Sequence, residues 1–233
     1  MLPAAILMGG TATRLRPVTE TIPKALVDIN GEPFVAHQLR LLESRGIRRV
    51  VLCVGYLGEM IRDFVGDGTR LGVEAAYSFD GPVLRGTAGA IHQALPLLGD
   101  RFFVIYGDSY LPCDYAAIQK SFESSGKPGL MTVYGNQDQW DASNVEFENG
   151  RILAYDKRVR TPRMRHIDYG LGLFHKGAFE HVRPGGIKDL AEIYQELLSR
   201  DQLAAFEVSE RFYEVGSFPG INGLSAVLRA ARA

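Results

Sequence analysis

Residues Ala4 to Lys24 read AAILMGGTATRLRPVTETIPK. The first five, Ala4-Ala5-Ile6-Leu7-Met8, form an unbroken apolar run with the length and texture of a buried strand. Gly9 and Gly10 follow at once, then the hydroxyls of Thr11 and Thr13, then Arg14 and Arg16. Pro17 and Pro23 stiffen the excursion and Lys24 closes it. Glycines after a strand let backbone N–H groups converge on an anion with no side chain in the way. Arginines a few residues on can fork onto phosphate oxygens. Gly9-Gly10 alone says little, because many strands end in glycine for turn reasons only. The whole stretch predicts a polyphosphate-binding loop at the carboxyl end of the first strand of an α/β sheet, where such folds keep their ligands.

Outward from that loop, buried strands and amphipathic helices alternate. Pro33 suits the first position of a helix in which Val35, Leu39 and Leu42 share one face, and Gly46 stops it. Val50–Val54 reads as a strand, Leu57–Val65 as a helix broken by Gly66 and Gly68, and Val73–Tyr77 as a strand. Thr87–Leu97 reads as a helix with Thr87 at its N-cap, and Phe102–Tyr106 as a fourth strand. This rhythm predicts a Rossmann-like, mostly parallel mixed sheet flanked by helices. From about Asp114 it changes. A helix at Tyr115–Ser124 and a strand at Leu130–Tyr134 precede shorter strands at Val145–Glu148, Ile152–Tyr155 and Ile167–Phe174, with Asn149-Gly150 as a hairpin turn. A helix at Ala191–Leu198, a strand at Phe212–Val215 and a helix at Ile221–Ala231 finish the chain.

Composition narrows the function classes. The 233 residues suit one sizeable α/β domain or two intimately packed lobes, and a net charge of −1 points to neither nucleic acid nor a membrane. Cys53 and Cys113 make no metal pattern and no disulfide framework. No apolar run approaches the ~20 residues of a bilayer span. Met1-Leu2-Pro3 runs into the first strand without a charged leader, so a cytoplasmic enzyme is expected.

Gly9-Gly10-x-x-Thr13-Arg14-Leu15-x-Pro17-x-Thr19, followed by Pro23-Lys24, resembles the signature of the sugar-1-phosphate nucleotidyltransferases, the nucleotide-sugar pyrophosphorylases. Ala12 departs from it, standing where that family usually has glycine. The resemblance implies a nucleotide-diphospho-sugar transferase type of fold. No hexapeptides of a left-handed β-helix occur, so no β-helix domain is expected. It also implies the reaction: a sugar 1-phosphate and a nucleoside triphosphate condense to an NDP-sugar and pyrophosphate. Met8, Gly9, Gly10, Thr11, Ala12 and Thr13 would then contact the nucleotide, with Arg14 on the triphosphate and Lys24 near the reacting phosphates.

Later segments extend the resemblance. Phe103-Val104-Ile105-Tyr106-Gly107-Asp108 drives an apolar strand into a carboxylate. By itself Asp108 reads equally well as a turn aspartate; the resemblance implies a ligand of a catalytic Mg²⁺. Tyr213-Glu214-Val215-Gly216-Ser217-x-Pro219 resembles the family's aspartate-x-glycine-threonine-proline segment, and Glu214 would be the second metal ligand, on a longer arm. Gly86-Thr87 matches a segment that packs on the nucleobase. Asp156-Lys157 resembles a glutamate-lysine element, giving Lys157 the sugar phosphate and Asp156 the sugar hydroxyls; Asp168 is a further sugar candidate. The nucleotide half would span about residues 1–112 and the sugar-phosphate half about 113–233.

The expected partners are a nucleoside triphosphate and a sugar 1-phosphate, with no nucleic acid and no membrane, and with self-association left open. The pattern is most similar to heptose- or mannose-1-phosphate guanylyltransferases, while the base and sugar stay open. A glycosyltransferase consuming an NDP-sugar is the first alternative, disfavoured because Ser109 and Tyr110, not an Asp-x-Asp cluster, follow Asp108. A non-catalytic nucleotide-sugar-binding regulatory subunit is the second. The departures at Ala12, Asp156 and Glu214 favour it, and Arg14, Lys24, Asp108 and Lys157 oppose it.

Overall fold

The computed structural model describes residues 1–10, 15 and 17–231. Strand β1 (Ala4–Met8) is the opening apolar run. A short pair, β2 (Asp28–Ile29) and β3 (Glu32–Pro33), closes around Asn30-Gly31, both at positive φ, and leads into α1 (Phe34–Ser44). Pro33 is the N-cap of α1 and not its first residue, because the Phe34 N–H still pairs with the Val27 carbonyl at 2.9 Å. The alternation continues through β4 (Arg49–Val54), α2 (Gly58–Val65), β5 (Glu74–Phe79), α3 (Gly86–Leu98) and β6 (Arg101–Tyr106). Then come β7 (Ser109–Tyr110), α4 (Tyr115–Ser125), β8 (Gly129–Tyr134) and the hairpin β9 (Val145–Glu148) with β10 (Arg151–Tyr155). The last elements are β11 (Ile167–His175), α5 (Leu190–Ser199), β12 (Leu203–Val208), β13 (Tyr213–Glu214) and α6 (Phe218–Ala230). The pattern gave no sign of β12: Leu-Ala-Ala-Phe-Glu-Val suits a helix equally well, and pairing with the β8 edge decides its state.

Seven strands form one sheet in the order β12-β8-β11-β6-β1-β4-β5. All its ladders are parallel except the two made by β11, which runs against β6 and β8. The sheet is therefore mostly parallel and mixed, as the alternation predicts. Because it is reversed, β11 begins at the edge where its parallel neighbours end. Asp168, near its start, thus joins the ends of β1 and β6.

Helices cover both faces. Ala4, Ile6 and Met8 of β1 pack with α1, α2 and α4 residues such as Leu39, Ile61 and Ile118. Ala5 points the other way, into a cluster with Ala88 and Ile91 of α3 and with Ile193 and Tyr194 of α5. This period-two alternation in a run apolar throughout is what a strand buried on both faces requires.

Gly107 shows how tightly the strand ends converge. Its N–H donates to the Leu7 carbonyl at 2.9 Å, and a Cβ there would sit 2.5 Å from that same oxygen. Only glycine allows β6 to leave the sheet so close to β1. Gly107→Ala is expected to destabilise the fold by about 1–3 kcal/mol, the usual cost of overpacking. Thermal unfolding would read this as a drop of about 2–4 °C per kcal/mol for a domain of this size; an unchanged melting temperature would contradict the close approach.

Candidate active site

The site lies where β1, β4, β5 and β6 all end. One cavity is lined by Met8, Gly9, Gly10, Gly86, Thr87 and Lys24, together with Asp80, Leu84, Tyr106 and Asp108. A second is lined by Asp141, Asn144, Lys157, Arg160, Asp168 and Glu214. Tyr106 and Asp108 line both. Thus Met8, Gly9, Gly10, Lys24, Gly86, Thr87 and Asp108 lie in one crevice, and Lys157, Asp168 and Glu214 in the adjoining one. Thr11, Ala12, Thr13 and Arg14 lie outside the described residues.

Backbone contacts hold Asp108 in place. The buried amide of Gln38, on α1, donates to the carbonyls of Tyr106 at 3.1 Å and Ser109 at 2.8 Å, one on each side of the Gly107-Asp108 turn. The Val215 N–H donates to the Asp108 carbonyl at 2.9 Å, and β13 pairs with β7 so that Glu214 stands opposite Ser109. This register brings Glu214 beside Asp108 from a distant part of the chain. Lys24 enters from a short 3₁₀ turn, Lys24–Leu26, and its ammonium is 2.8 Å from Asp108 Oδ2.

Two carboxylates at a crevice junction are hard oxygen donors suited to Mg²⁺, which typically takes one or two protein carboxylates and completes its shell with water and substrate phosphates. Among the described residues no group of three or more His, Cys, Asp or Glu could hold a metal alone. Asp108 and Glu214 therefore fit a metal that arrives with a phosphate, not a site closed by protein.

Asp80 was not anticipated. It follows β5, is 5% exposed, and lines the first cavity. Burial raises its carboxyl above the ordinary value, against the lowering effect of the Arg85 N–H and the Arg85 charge. The available signal was the one used for Asp108, an acid directly after an apolar strand. Cys53 lines the same cavity, but burial, and secondarily Asp80, push its thiol up to about 12, which leaves it a neutral wall.

Thr87 does not cap α3. Arg85 does, and the Thr87 hydroxyl accepts the Leu190 N–H at 2.6 Å, fastening α3 to the start of α5. In the second cavity, Asp168 accepts the Tyr155 hydroxyl at 3.1 Å and the Gly170 N–H at 3.1 Å, while its own N–H donates to Asn144 Oδ1 at 2.9 Å. Burial raises the Asp168 carboxyl, opposed by the Lys157 charge and these hydrogen bonds. Asp156 accepts the N–H groups of Arg158 at 2.7 Å and Val159 at 2.9 Å, so its carboxylate shapes its own loop and lines neither cavity. Asn144 and Asp141 take the places on the cavity wall. The Asp141 loop carries Trp140, whose ring lies 3.2 Å from the Arg211 guanidinium carbon. Arg160 donates to the Ser143 carbonyl and pairs with Asp138.

Comparisons with known proteins establish the family. The catalytic subunit beta of mannose-1-phosphate guanylyltransferase from Danio rerio is 30% identical over 91% of this chain, which spans 61% of that relative's length. N-acetylmuramate alpha-1-phosphate uridylyltransferase from Neisseria meningitidis serogroup B is 29% identical over 92% of this chain and 93% of its own. The solved structure of HddC from Yersinia pseudotuberculosis, complexed with GMP-PN, has the same fold, with a TM-score of 0.82 at 23% identity over 98% of this chain and 100% of that one. Residues 3–208 match the family described as nucleotidyl transferase, and the chain belongs to that family.

Proposed function

We propose that the protein condenses a nucleoside triphosphate with a sugar 1-phosphate, releasing pyrophosphate and an NDP-sugar. The observation that carries this reading is the placement of Asp108 on the wall shared by two cavities. One has the glycines and small residues that suit a nucleotide, and the other has Lys157, Asn144 and Asp168, which suit a phosphorylated polyol. The nucleotide half is about residues 1–112 and the sugar-phosphate half about 113–233. The two buried free cysteines suit a reducing compartment, and the cytoplasm supplies the triphosphate.

In this reading a phosphate oxygen of the sugar 1-phosphate attacks the α-phosphorus in line. The new P–O bond forms as the bond to the bridging oxygen breaks, and the electron pair leaves with pyrophosphate. The nucleophile is already an anion, so no side chain has to take a proton, and the protein's task is positioning and charge neutralisation. Lys24, held to Asp108, neutralises charge on the nucleotide side, together with Arg14. Lys157 neutralises it on the sugar side. Mg²⁺, held by Asp108 and Glu214, would supply Lewis-acid stabilisation of the phosphate oxygens. Asp108→Asn is expected to lower kcat/KM by about 10²-fold or more. Glu214→Asp should keep substantial activity or change the metal preference, whereas Glu214→Gln should not. Equal activity in all three, measured by pyrophosphate release over a magnesium titration, would remove the pair from the site.

Asp80 points to guanine as the base. A carboxylate offers acceptors only. Guanine presents two adjacent donors, N1–H and the 2-amino group, whereas uracil and thymine place carbonyl oxygens on both sides of their single N–H. The test is a panel of GTP, UTP, dTTP and CTP against mannose and heptose 1-phosphates. GTP should lead, and Asp80→Asn should cut its advantage by about tenfold or more, since a hydrogen bond to a charged group contributes roughly 1.5–3 kcal/mol. A pyrimidine triphosphate in the lead would overturn the base assignment.

A further inference from the structure

Tyr106 is the last residue of β6, and it lines both cavities. Its hydroxyl accepts a hydrogen bond from Lys157 Nζ at 3.1 Å. Asp189 approaches the same ammonium, with Oδ1 at 4.0 Å. We propose that Tyr106 is a positioning residue that holds the Lys157 ammonium at the wall between the two cavities, with Asp189 as a second support. This rests on the reading of Lys157 as the sugar-phosphate contact.

A lysine needs such a device more than other cations do. Its ammonium is a point charge on a flexible four-carbon stem, and fixing that stem costs up to ~2 kcal/mol of rotamer entropy. Lys157 sits on a loop, with its side chain 38% exposed. Fixing the ammonium before substrate arrives removes that entropy cost from the binding step. The phenol suits the task because its oxygen meets the ammonium on the wall that the two cavities share. While accepting from Lys157, the hydroxyl keeps its own proton to donate, and among the described residues it has no second hydrogen-bond partner.

The second support is itself fastened to the nucleotide side. Asp189 is the N-cap of α5: its carboxylate accepts the Ala191 N–H at 2.8 Å, and the Glu192 side chain accepts its N–H at 3.0 Å. On one side of it, the Lys188 carbonyl accepts the Ala88 N–H at 2.9 Å. On the other, the Leu190 N–H reaches Thr87. Gly86, at φ +69°, lets this approach happen, since a Cβ there would meet the Lys188 carbonyl oxygen at 2.6 Å. The lysine that meets the sugar phosphate is thus set by β6 and by a segment bound to the floor of the nucleotide cavity.

Tyr106→Phe keeps the ring and removes the hydroxyl. It is expected to raise the KM for the sugar 1-phosphate about tenfold or more, the scale of one hydrogen bond to a charged group, with the triphosphate KM within about twofold. Asp189→Asn keeps a good cap and removes the charge, and should give a smaller rise of the same kind. Lys157→Ala should cost less in the Tyr106→Phe background than in the unaltered chain. Additive effects would overturn the proposal, as would equal rises in both Michaelis constants. A readout without turnover separates this from the functional reading. After reductive ¹³C-methylation of the lysines, the Lys157 resonance, identified by its absence in Lys157→Arg, should move in Tyr106→Phe. If the unaltered chain transfers no nucleotide, the functional reading falls, and the resonance still decides the cradle: a moved signal supports it and an unmoved one overturns it.

Discussion

The hydrogen bond from the Gly107 N–H to the Leu7 carbonyl, 2.9 Å long, is the constraint on which the site depends. It continues the β1–β6 ladder one step past the regular strand, at a separation that leaves no room for a side chain. The loops leaving the two strands, one through Gly9 and the other through Asp108, consequently open onto the same crevice. Gln38 then clamps the turn from below, and Val215 pins it from the side. Four contacts to backbone groups therefore fix the turn that carries the Asp108 carboxylate into the crevice.

The reversed strand β11 is the second architectural choice with chemical consequences. A sheet with every strand parallel would bring only strand ends to this edge. The reversal brings a strand beginning, with Asp168 and the bulge before Gly172, next to the end of β6. The second cavity therefore forms beside the first, and residues as distant in the chain as Tyr106 and Glu214 share its walls.

Much of this was legible in the sequence because the signals were local. The run Ala4–Met8 and the run ending at Tyr106 read as buried strands, and the Gly-Gly and Gly-Asp that follow them mark their ends. Glu214 was legible from its motif, while its closeness to Asp108 depended on the β7–β13 register, which no local pattern encodes. Asp156 shows the converse: its spacing to Arg158 and Val159 makes an Asx turn, in which one carboxylate oxygen takes both backbone N–H groups. Asp80 went unread because Gly81-Pro82 after it advertises a loop, and Tyr106 because an aromatic residue in an apolar strand reads as core. Tyr106 is core on one side and cavity wall on the other, a distinction only tertiary structure makes.

The central claim is that two substrates meet at Asp108. Pyrophosphate release in the presence of magnesium, measured with triphosphate alone, sugar 1-phosphate alone and both together, tests it most directly. The account predicts release only when both are present, with equimolar NDP-sugar formed. Release from triphosphate alone at the same rate, or no release with any pair, would contradict it.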